Sequence, residues 1–150
     1  MNKIIKIYDN IIPEYVSDQI YELTLGHDNM LPWFYSPSLT FPPNHPEHKF
    51  KPGVKHPVYC ENTPPSLYLF QLLQPLYCFS LKLNFELHKI FNIRSFLDFP
   101  NPNPGPDLPP HVDIDDPHWV LLYYINDSEG DTILFKDDKI TEIKRVTPKK

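Results

Sequence analysis

Cysteine is nearly absent. Cys60 and Cys78 are the two in 150 residues, and each stands singly, with no Cys-x-x-Cys pair. That spacing argues against a zinc finger and a disulfide framework, and predicts two reduced, buried thiols. Positive charge is also short: 14 Lys and Arg against 19 Asp and Glu leave a formal charge of -5. Without a basic footprint the chain has no grip on a phosphate backbone, and the tail Lys144-Arg145…Lys149-Lys150 is too short to reverse that. Nucleic acid is therefore not expected as a sequence-independent partner, although a single flipped or unpaired base stays open as a substrate. No apolar run approaches the roughly 20 residues of a membrane span, and no secretory signal is read at the start. These absences predict a cytoplasmic protein with no membrane partner.

Proline and aromatic residues are abundant. Nineteen prolines, ten Phe, nine Tyr and two Trp accompany only four Gly. The prolines cluster in residues 32–65 and 100–117, which marks two long ordered loops rather than a low-complexity tract. Hydrophobic content of 41% with 22% charged residues excludes disorder as the default, and the length suits one domain, or most of one. Residues 1–85 read as its helical front part and 86–150 as its β core.

In the front part, residues 3–8 (KIIKIY) are predicted as a short strand. Pro13 suits a first helical turn, Val16, Ile20 and Leu23 recur at helical spacing, and Gly26 is the expected stop. Residues 30–65 read as an extended loop region, in which His45 and His48, flanked by prolines, are surface histidines rather than a metal pair. Residues 66–83 read as helix, interrupted or kinked at Pro75, with apolar spacing that belongs to core packing. Residues 86–99 turn to β character around Arg94.

The chemistry concentrates at His111-Val112-Asp113, to which the stiff proline-rich stretch 100–110 delivers the chain. In an extended backbone, residues two apart project to the same side, so His111 and Asp113 are expected to converge. An imidazole and a carboxylate at that spacing make two thirds of the facial triad that holds non-haem Fe(II) and leaves positions open. Asp115 and Asp116 read as solvated turn acids, and His118 as a packed strand-start histidine. Residues 118–125 (HWVLLYYI) then read as a buried strand, 126–130 as a turn and 131–135 as the returning strand of a hairpin. A further turn at 136–139 leads into a strand over 140–146. Successive antiparallel strands of this kind predict a jelly-roll or related sandwich. Trp33, Phe34 and Tyr35 are expected in core or loop packing rather than as a lid over the site.

The order of these features is what makes the sequence recognisable. A helical front half, an Arg-bearing strand, His-Val-Asp, then Trp-Val-Leu-Leu-Tyr-Tyr-Ile-Asn and Gly-Asp-Thr-Ile-Leu-Phe resembles the 2-oxoglutarate/Fe(II)-dependent dioxygenases. Within them it is most similar to the prolyl-4-hydroxylase-like branch, in the form found in phages and environmental sequences. The resemblance implies a mainly β fold with N-terminal helices, a double-stranded β-helix (jelly-roll, cupin-like) whose C-terminal strands are missing here. It implies Fe(II), 2-oxoglutarate as co-substrate and O2, with ascorbate as a candidate reductant. His111 and Asp113 would be the metal ligands and catalytic residues, Arg94 or Tyr123 would line the 2-oxoglutarate pocket, and Thr132 would be structural.

In the family a distal histidine completes the iron site, and a basic residue beyond it meets the far carboxylate of 2-oxoglutarate. Neither has a counterpart before Lys150, so the expectation is a C-terminally truncated member, acting in the host cytoplasm if phage-encoded. The implied activity is hydroxylation of a protein side chain, prolyl first among them, or of a small molecule. Two other readings stand beside it. One is a non-catalytic, truncated jelly-roll binding module; the other is a cupin that uses a different metal and no keto acid.

Overall fold

Pro13, with φ -57° and ψ 139°, is preset for the residue just ahead of a helix, and α1 follows over Glu14–Thr24. The computed structural model describes residues 4–27, 30–37, 39, 52–99, 110–114 and 116–150. The amides of Val16 and Ser17 donate to the Pro13 carbonyl at 3.0 and 3.1 Å, closing the first turn. Val16, Ile20 and Thr24 are the buried residues of α1, a stripe at i, i+4 and i+8. Thr24 rather than Leu23 completes that stripe, and its hydroxyl is satisfied by donating to the Ile20 carbonyl at 2.7 Å. The helix stops where the amides of Leu25 and Gly26 both return to the Tyr21 carbonyl, at 2.7 and 3.0 Å.

Two short strands lie where a loop was expected. β1 (Phe34–Ser36) and β2 (Gly53–Cys60) pair antiparallel, and β2 pairs antiparallel with β3 (Asn92–Asp98), giving the sheet order β1-β2-β3. Ser36 faces Gly53 in the first ladder; Gly53 faces Asp98 and Pro57 faces Arg94 in the second. The β2–β3 register shifts between Pro57 and Tyr59, and the shift belongs at proline, which has no N–H to give the ladder. The same proline made this stretch look like loop. Residues 4–8, by contrast, form no strand, and Ile4, Ile7 and Tyr8 are exposed.

Among the described residues the apolar core is small: Val16 and Ile20 of α1, Leu31, and Val58 of β2. After the sheet's second strand come the single-turn α2 (Leu69–Leu72) and α3 (Gln74–Leu83). Pro75 sits in the first turn of α3, where a missing N–H costs nothing, so the break falls at Leu73, two residues before the proline. Asn84, in the left-handed region at φ 50°, ends α3 by donating its amide to the Ser80 carbonyl.

A second sheet joins β4 (Thr132–Phe135) to β5 (Glu142–Val146), antiparallel, with Thr132 facing Val146. Its tight turn is organised by Asp138. One carboxylate oxygen accepts the amides of Ile140 (2.9 Å) and Thr141 (2.8 Å), and the other accepts the Thr141 hydroxyl at 2.6 Å. The expected hairpin between 118–125 and 131–135 is not formed: β4 pairs with β5, and its other edge has no described partner. Residues 118–125 have no strand structure, and Trp119, Val120, Leu121 and Leu122 are exposed instead of buried. A strand exists only through its ladder, and none of the described strands pairs with this segment. The described residues thus combine helices with two small antiparallel sheets, a mixed α and β structure rather than a mainly β one. No helix among them is long and apolar enough to cross a membrane.

Candidate functional site

Alternation along β3 leaves Asn92, Arg94, Phe96 and Asp98 on its exposed side. From there the Arg94 guanidinium reaches the 110–114 segment and donates through Nη2 to Asp113 Oδ1 at 2.7 Å. Nε2 of His111 lies 3.9 Å from the same carboxylate oxygen. Arg94, Asp113 and His111 are thus brought together, with side chains 42%, 40% and 38% exposed. The convergence of His111 and Asp113 is not the work of a pleat: residues 111–114 are irregular, with a bend at Asp113.

These donors suit a divalent transition metal in kind, since imidazole nitrogen and carboxylate oxygen are its ordinary ligands. Two donors each about 2.1 Å from one ion and at right angles would lie about 3 Å apart, so the 3.9 Å pair has to close by about 1 Å. No group of three or more His, Cys, Asp and Glu able to hold a metal occurs among the described residues. His45, His48 and Asp115 lie outside the described residues. Two surface grooves lie elsewhere, of about 300 Å³ beside Asp127 and Pro148 and about 430 Å³ between Ile11, Ile12 and Cys78. The Arg94–Asp113–His111 cluster is open to solvent rather than enclosed.

Tyr123 is tied elsewhere: its hydroxyl donates to Ser17 Oγ on α1 at 3.0 Å. Lys150 Nζ reaches Asp18 on the same helix at 2.7 Å, so the end of the chain and residue 123 are both anchored on α1. Thr132 receives the Tyr124 hydroxyl at 2.8 Å, a bracing contact beside β4. His118 is half-buried, with Nδ1 2.7 Å from the Asp116 carbonyl. Trp33 donates its indole N–H to the Thr24 carbonyl at 3.2 Å, satisfying an end of α1. Phe34 and Tyr35 are exposed on β1. Both cysteines are free thiols, but Cys60 is exposed and Cys78 half-buried, against the expectation of two buried ones; Cys60 ends β2, where the strand leaves the core.

Sequence reasoning missed His56. It is 4% exposed, stacked on Phe34 at 6.2 Å and met edge-on by Tyr68 at 5.9 Å. Nδ1 lies 2.8 Å from the Pro32 carbonyl and Nε2 2.6 Å from Ser66 Oγ. A carbonyl only accepts, so Nδ1 carries hydrogen, and in the neutral ring Nε2 accepts from the Ser66 hydroxyl. The residue locks three separate stretches of chain together. Its signal was the alternation Val54-His56-Val58, hidden by Pro57 between them.

No family model, no curated protein and no solved structure matches this chain.

Proposed function

We propose that the chain is an Fe(II)- and 2-oxoglutarate-dependent dioxygenase domain of the double-stranded β-helix type, hydroxylating a side chain, prolyl first, on a protein substrate. The observation that carries the reading is the convergence of His111, Asp113 and Arg94, three residues singled out by chemistry and by family pattern, at one carboxylate oxygen. His111 as neutral imidazole and Asp113 as carboxylate would hold the metal. The iron, when bound, supplies oxygen activation coupled to decarboxylation of the keto acid.

Arg94 offers a planar fork whose geometry matches a carboxylate, the group 2-oxoglutarate presents at both ends. Tyr123, anchored on Ser17, lends a hydroxyl to the architecture around α1, and a role in the keto-acid pocket would need that bond to be exchanged. Free thiols at Cys60 and Cys78 accord with a reducing cytoplasm.

Titration with Mn2+ as the iron surrogate tests the reading. Wild type should bind one ion, and His111→Ala and Asp113→Ala should each weaken that binding at least about tenfold. With Fe(II), O2 and ascorbate, wild type should convert 2-oxoglutarate to succinate and both variants should fail. Equal Mn2+ affinity in all three proteins would refute it. A second reading, a binding module without iron chemistry, draws on the exposed apolar run Trp119, Val120, Leu121 and Leu122. It predicts no succinate and no Mn2+ affinity that depends on His111.

A further inference from the structure

The oxygen that a metal would need is already held by a cation. Arg94 Nη2 is 2.7 Å from Asp113 Oδ1, and His111 Nε2 faces that same oxygen at 3.9 Å. An ion shared between His111 Nε2 and Asp113 Oδ1 would therefore use the same oxygen that the guanidinium holds. Two positive groups that share one oxygen repel each other, modestly at this solvent exposure. Arginine does not shed its proton in a protein, so this cation leaves only by moving.

Movement is open to it. The Arg94 side chain is 42% exposed, on a strand whose backbone is pinned opposite Pro57 while the side chain projects outward. We propose that Arg94 is the resident counter-ion of the site: it holds Asp113 until a divalent cation arrives, and then exchanges the Asp113 carboxylate for that of an anionic ligand. Metal and carboxylate ligand thereby favour each other's binding, since each removes one partner of the same ion pair, and the coupling is reciprocal. This inference rests on the functional reading above.

Mn2+ alone is the probe, followed by loss of the free-ion EPR signal in wild type, Arg94→Gln, Arg94→Lys and His111→Ala. An exposed ion pair of this kind corresponds to no more than about a fivefold change in an equilibrium constant, so Arg94→Gln should bind Mn2+ roughly two- to fivefold tighter than wild type. Arg94→Lys, which keeps the charge, should stay close to wild type. Unchanged or weaker binding by Arg94→Gln overturns the counter-ion role and makes Arg94 a residue that orients Asp113 for the metal.

Failure of the functional reading looks different: there His111→Ala would bind as wild type does. If circular dichroism shows that Arg94→Gln does not fold, wild type labelled with 15N decides the matter. Saturating Zn2+ should shift the Arg94 Nε–H resonance as the pair opens, and an unmoved resonance overturns the proposal.

Discussion

Replacing His56 with alanine removes a ring that is 4% exposed and hydrogen-bonded at both nitrogens, to the Pro32 carbonyl at 2.8 Å and to Ser66 Oγ at 2.6 Å. Each neutral hydrogen bond contributes about 1 kcal/mol net, and a carbonyl left without its partner raises the cost further. The ring contacts with Phe34 and Tyr68 add about 0.5–1.5 kcal/mol each. The sum is about 3–5 kcal/mol, a large share of the stability of a domain with four buried apolar side chains among the described residues. For a chain of this size that lowers Tm by about 10 °C. Urea unfolding followed by tryptophan fluorescence reads the change, with Trp33 adjoining Pro32. His88→Ala is the control, since that side chain is 81% exposed and should change stability by less than about 0.5 kcal/mol. If His56→Ala and His88→Ala unfold at the same urea concentration, His56 does not hold the sheet to its flanking segments.

Two further predictions concern turns. The Asp138 carboxyl is lowered from its ordinary 3.8 to about 2, chiefly by the Thr141 hydroxyl and then by the amides of Thr141 and Ile140. A lowered folded-state value means stability that is fully present above about pH 4 and is lost as pH falls through about 2. Asp138→Asn should flatten that part of the urea-midpoint profile, and an unchanged profile between pH 4 and pH 2 would sink the assignment. At the end of α1, a Cβ on Gly26 would lie 2.6 Å from Glu22 Cα, which is backbone and cannot yield. Gly26→Ala should cost about 1–3 kcal/mol with an unchanged urea m-value. Gly130→Ala, whose nearest neighbour would be Ser128 Oγ at 3.6 Å, should be close to neutral; equal effects at both positions would refute the steric account.

Local rules recovered local structure. Proline at 13, apolar residues four apart and a glycine stop determine α1, because an amphipathic helix closes its hydrogen bonds within one segment. Pro75 marked a break in the second helical stretch for the same local reason, although as a helix start rather than a kink. Strands were less legible. β2 was hidden by Pro57, and residues 118–125 carry every compositional mark of a strand yet have no partner in the described sheets. Strand pairing is a choice among distant segments, and β4 chose β5 because the Asp138 turn brings them together over a few residues.

The candidate site divides along the same line. The spacing of His111 and Asp113 by itself put an imidazole and a carboxylate within reach of each other, since two residues of chain leave little room to diverge. That Arg94 sits on Asp113 Oδ1, that Tyr123 bonds Ser17, and that His56 ties Pro32 to Ser66 were decided only by the fold. Those contacts join residues far apart in the chain. Their geometry depends on strand register and helix placement, which no local pattern encodes.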